Sequence, residues 1–183
     1  DVHRCVTMDA KIAGDLVYIV GTTGNELGGS VYYEHLGYTG CNVPRVRPAE
    51  FIPRYRNLAA AIEKEWVASA HGIYRGGLAV HLAMVAMGGN LGLNVDLAKV
   101  PRHQVDRDDT LLFSESAGRF IVTVDPARRK AFEDIFKGNE CACVGVVTEQ
   151  PDLVIRGLTR QTVLSVPIKN LKAAWKKTFG KLI

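Results

Sequence analysis

The chain is 183 residues long, 47% hydrophobic and 23% charged, which fits one globular domain and excludes wholesale disorder and a fibrous repeat. A chain of this size buries roughly 70% of its unfolded surface, so a sizeable core is feasible. Its net charge of +4 is too mild to mark a dedicated nucleic-acid binder.

The opening stretch Asp-Val-His-Arg-Cys-Val-Thr at 1–7 carries no apolar leader. Residues 16–20, Leu-Val-Tyr-Ile-Val, predict a buried strand. It opens onto a polar, glycine-rich turn, Asn-Glu-Leu-Gly-Gly-Ser at 25–30, and a short helical pattern through Tyr33 to Leu36. Gly37, Gly40, Pro44 and Pro48 make residues 37–50 an excursion loop. Across residues 51–70, Ile52, Tyr55, Leu58, Ala59, Ile62, Trp66 and Ala70 recur at helical spacing, with Pro53 tolerated in the first turn.

Residues 76–95 contain no Asp, Glu, Lys or Arg, but five glycines break the run and Asn90 and Asn94 wet it. It reads as a central helix over 76–87, stopped by Gly88 and Gly89, and then a strand over 91–97, not as a membrane span. Residues 98–110 are charged and irregular. A strand is predicted over 119–124, closed by Asp125 as N-cap and Pro126 as first helical residue of a helix reaching about Lys137, where Gly138 stops it.

Residues 141–148, 152–156 and 162–166 read as three short strands. Pro167 begins a closing helix whose stripe Ile168, Leu171, Trp175 and Phe179 is expected to be buried, with Lys169, Lys172, Lys176, Lys177 and Lys181 on the solvated side. The mixture of elements predicts an α+β fold with a layered sheet. The four cysteines, Cys5, Cys41, Cys141 and Cys143, are too few and scattered for a disulfide scaffold. Cys141 and Cys143 share one strand face as buried, reduced thiols, which fits a cytoplasmic setting.

Three turns carry chemistry. Free amides in the turn at 25–30 suit an anion, although a glycine pair serves a structural turn equally well. The stretch Ser-Ala-His-Gly-Ile-Tyr-Arg-Gly-Gly-Leu at 69–78 is expected to join two helices, placing His71, Arg75, Gly76 and Gly77 ahead of an apolar helix; His71 alone reads equally as structural. The stretch Leu-Phe-Ser-Glu-Ser-Ala-Gly-Arg-Phe at 112–120 sets Glu115 between Ser114 and Ser116, a group suited to a hydroxylated or phosphorylated molecule or its magnesium, or else a charged surface turn. His35, His81 and His103 show no partner pattern, and the sequence holds no Walker A, G-x-S-x-G or H-E-x-x-H motif.

Taken in order, these three turns resemble the C-terminal domain of the aminoimidazole ribonucleotide synthase superfamily, and within it the last domain of the phosphoribosylformylglycinamidine synthases. Those domains read D-E-L-G-G-S, S-A-H-D-x-S-x-G-G-L and F-S-E-S-x-G-R-F at the matching places. The likeness implies a three-layer α/β/α sandwich with a mixed, largely antiparallel sheet. It makes residues 1–183 a single such domain, with 1–14 as incoming linker or strand and 167–183 as closing helix. It implies a part in amidating formylglycinamide ribonucleotide with ATP and glutamine-derived ammonia.

The same likeness assigns ligand contact to His71, Gly76, Gly77, Ser114, Glu115, Ser116 and Arg119, and no catalytic residue to this chain. The family's magnesium-binding Asp is replaced by Gly72 and its nucleotide-contacting Ser by Tyr74. ATP and magnesium therefore belong to the full-length enzyme, and neither is expected to bind this domain tightly. Expected partners are the upstream A–B–A domains, a glutaminase subunit, a small accessory subunit and a small-molecule substrate, with no nucleic acid and no membrane. Other superfamily kinases and synthases, of selenophosphate, thiamine-phosphate or hydrogenase-maturation type, are alternatives, as is a purely structural docking domain.

Overall fold

Strand β1, Leu16–Val20, lies inside the sheet and explains why its sequence is apolar throughout. Val17 and Ile19 point into one core and Tyr18 and Val20 into another, all four almost wholly buried, because both sheet faces are covered. The computed structural model describes residues 2–177.

The other elements are α1 (Val31–His35), α2 (Pro48–Glu63), β2 (Ser69–Ile73), α3 (Gly77–Gly89), β3 (Gly92–Asp96), α4 (Asp108–Phe113), β4 (Arg119–Val124), α5 (Arg129–Ile135), β5 (Cys141–Thr148), β6 (Asp152–Arg156), β7 (Thr162–Pro167) and α6 (Ile168–Lys177). The strands form one seven-stranded sheet in the order β2-β4-β1-β5-β3-β6-β7. Only β3 and β6 pair in parallel; the other five pairings are antiparallel. α3 packs beside α4 and α6 over one face, and α2 and α5 cover the other. This is the three-layer sandwich the sequence resemblance implies.

Capping follows the residues. Asp125 accepts the Ala127 amide at 2.8 Å and opens a 3-10 turn at Pro126–Arg128 that leads into α5. Gly138 follows α5 in the left-handed region, φ +81°.

Several expectations are corrected. Helix α2 does not reach residue 70: Glu65 adopts φ +56°, which ends the helical path, and residues from Ser69 pair with β4 instead. The second turn therefore begins as an edge strand rather than as a link between helices. Residues 98–110 hold most of a 3-10 turn capped by Asp96 and the start of α4, whose first turn carries Asp108 and Asp109 where negative charge is favoured. The incoming segment, expected as a linker or strand, carries a 3-10 turn at Val2–Arg4 among its described residues.

Finally, Trp175 is 57% exposed. Ile168 is buried and Leu171 packs on the core, but Lys172 already reaches Asn90 at the end of α3, so α6 runs past the surface that would cover Trp175. Phe179 lies outside the described residues.

Candidate functional site

The first and third turns are stitched together by hydroxyls. Ser114 Oγ donates to the Gly24 carbonyl at 2.7 Å and accepts the Glu26 amide at 3.1 Å, while Ser116 Oγ accepts the Gly24 amide at 3.0 Å. Both serines are buried. Beneath them Arg119, 1% exposed, donates from Nε to the Ser116 carbonyl at 2.9 Å, from one terminal nitrogen to Thr23 Oγ1 at 2.8 Å, and from the other to the Ser114 carbonyl at 2.5 Å. Burial holds its guanidinium down to about 10, partly offset by Glu26 and Glu115, so it is charged at neutral pH. Three geometrically fixed donors on one buried cation set the backbone path of the third turn.

Glu115 joins all three turns. Its Oε1 accepts the Val31 amide at 2.9 Å, where α1 begins after the first turn, and the Gly76 amide at 2.8 Å in the second. Its Oε2 has no hydrogen-bond partner among the described residues. The second and third turns also touch backbone to backbone. Gly77 adopts φ +73°, and a Cβ there would meet the Leu112 carbonyl oxygen at 2.7 Å, so only glycine permits this approach.

His71 stands on β2 facing α3, with Nε2 2.8 Å from His81 Nδ1. His81 Nε2 in turn lies 2.9 Å from the Tyr74 amide. Burial pushes both imidazoles below the ordinary histidine range, and for His71 the neighbouring His81 adds to the effect. The Tyr74 side chain, 63% exposed, folds back so that its hydroxyl occupies the space a side chain at Gly72 would need.

A cleft of about 1020 Å³ opens beside this assembly. Glu115, Ser116 and Arg119 border it, whereas His71, Gly76, Gly77 and Ser114 do not. Phe51 and Phe120 stack at 6.3 Å on one side, and Arg45 and Arg102 bring positive charge from two loops. Sequence reading missed Glu26, which lines the cleft from inside the first turn. It also missed His81, which does have a partner; the spacing of ten residues from His71 becomes a contact only when β2 packs on α3. The cleft can take a ligand that combines an apolar or aromatic portion with negative charge.

Comparison with known proteins places these features. The family model described as AIR synthase related protein, C-terminal domain, matches residues 13–157. The phosphoribosylformylglycinamidine synthase subunit PurL of Thermococcus sibiricus is 35% identical over 94% of this chain and 24% of its own length. The PurL subunit of Lactobacillus helveticus is 34% identical over 97% of the chain and 23% of its own. The chain thus spans about a quarter of the length of these curated relatives. Among solved structures, Thermotoga maritima PurL complexed with FGAR superposes with a TM-score of 0.79 at 23% identity, covering 92% of this chain and 29% of that one. E. coli HypE, a hydrogenase maturation protein, superposes with a TM-score of 0.64 at 15% identity over 89% of this chain and 52% of its own. These two likenesses concern the fold.

Proposed function

This chain belongs to the family of AIR synthase related C-terminal domains, and we propose that it serves as the last domain of a phosphoribosylformylglycinamidine synthase. In that role it would help amidate formylglycinamide ribonucleotide with ATP and glutamine-derived ammonia. The observation that carries the reading is the convergence of all three motif turns on the single carboxylate of Glu115 at the edge of the cleft. The partners proposed with it are the upstream A–B–A domains, a glutaminase subunit and a small accessory subunit, in the cytoplasm. No helix among the described residues is long and apolar enough to cross a membrane.

Within the proposed role, Glu115, Ser116 and Arg119 form the wall that faces the substrate cleft, Gly76 and Ser114 bond to the turns that carry that wall, and Gly77 packs against the third turn. The chain alone is expected to make no amidated product above a blank with substrate, ATP and ammonia. Joined to the upstream domains it should be active. Turnover by the isolated chain at ordinary enzyme rates, ~1 per second or more, would overturn the proposal.

Magnesium holds nucleotide phosphates through one or two carboxylates plus water. The second turn does not fit that ion. Gly72 has no side-chain oxygen to give, the Tyr74 hydroxyl fills its side-chain space, and Glu115 has one oxygen committed to two amides. We expect the chain to bind magnesium–ADP no better than millimolar by calorimetry. Gly72→Asp combined with Tyr74→Ser should tighten binding, whereas Gly72→Asp alone must first expel the tyrosine ring. Micromolar binding by the unaltered chain would show the turn to be competent as it stands.

A further inference from the structure

We propose that His81 is a positioning residue: it fixes the tautomer and ring orientation of His71 and leaves that ring with one directed N–H, at Nδ1.

The assignment follows from which atoms can donate. A backbone amide has only a proton to give, and the Tyr74 amide meets His81 Nε2 at 2.9 Å. His81 Nε2 is therefore the unprotonated nitrogen, and its ring proton sits on Nδ1. That nitrogen lies 2.8 Å from His71 Nε2, which must accept, and the proton of His71 is left on Nδ1. His71 Nδ1 has no hydrogen-bond partner among the described residues. The Arg75 carbonyl, 3.2 Å from His81 Nε2, is the more distant neighbour and does not displace the amide.

The surroundings hold this order of bonds in place. His81 is 5% exposed on α3. The Tyr74 ring stands edge-on to His81 at 5.6 Å and to His71 at 6.3 Å. Gly72 lets it do so, since any side chain there would strike the tyrosine hydroxyl. The relay needs both rings neutral, because a proton added to His81 Nε2 would oppose the Tyr74 amide. Burial holds the His81 imidazole below the ordinary histidine range; the Arg75 backbone opposes it, Arg119 adds to it, and the Tyr74 backbone and Glu115 oppose it more weakly, so the net effect favours the neutral ring. For His71, burial and His81 act in the same direction.

Ring-nitrogen NMR of the 183-residue chain tests the assignment without any ligand. His71 is expected as the Nδ1–H tautomer. His81→Phe keeps a flat ring but removes the donor, so His71 Nε2 should move toward the protonated end of its range and its titration should shift toward the free-histidine value of about 6.5. His81→Asn restores an N–H near the place of Nδ1 and should return His71 to its original tautomer. A proton found on His71 Nε2 in the unaltered chain would overturn the proposal, and so would ring shifts that ignore both substitutions. If the phenylalanine variant does not fold, the unaltered chain and the asparagine variant still decide.

Discussion

Replacing Arg119 with methionine is expected to lower the unfolding free energy by ~3–5 kcal/mol, the range for removing one member of a buried, fully bonded polar network. Methionine fills much of the volume but leaves the Ser114 and Ser116 carbonyls and the Thr23 hydroxyl without their donor inside the protein. It also leaves Glu26 and Glu115 without the buried cation that offsets them. For a chain of this size each kcal/mol moves the melting temperature by roughly 2–4 °C, so a fall of about 10 °C is expected. Arg119→Lys should recover only a small part, because one ammonium cannot reach three acceptors spread around a planar fork. An Arg119→Met variant melting within about 2 °C of the parent would mean that the network is not what holds the turn.

Gly77→Ala is the second large effect. Left-handed backbone costs an alanine roughly 1–2 kcal/mol, and here the added methyl would also press on the Leu112 carbonyl and the Phe113 backbone. A total loss of ~3 kcal/mol or more is expected. Gly29→Ala supplies the control: φ is +67° there, but nothing lies within 4 Å of the added carbon, so only the conformational part, ~1 kcal/mol, should appear. Denaturant melts of the two variants side by side isolate the contribution of close contact between the second and third turns. Equal losses would remove that contact from the argument.

The strands of this fold were legible where burial on both faces makes a short run apolar throughout, as in β1, or mostly apolar, as in β4; the bounds of both match the sequence reading. β2 was not. Its Ser, Ala, His, Gly and Ile carry little strand preference, and it exists because β4 offers it an edge to pair with. The helical spacing of Trp66 and Ala70 also disguised it, since periodicity does not register the left-handed turn at Glu65.

In the site, the sequence located the third turn and singled out Glu115, yet it gave no hint that Ser114 and Arg119 spend their polar atoms on the backbone of their own domain. His81 was invisible for a different reason. Its partner comes from helix packing, which no linear spacing encodes. Trp175 erred the opposite way: a regular apolar stripe on α6 runs longer than the core beneath it.

The double use of one oxygen of Glu115 bears on how such signatures should be scanned. Changes at 72 and 74 leave that bond pair untouched, so a domain whose second turn holds no nucleotide would still require the serine–glutamate–serine signature to fold. The signature then reports architecture, and the residues just after His71 report trade. A search that weights the first above the second will not separate domains that hold a ligand at the second turn from domains that do not.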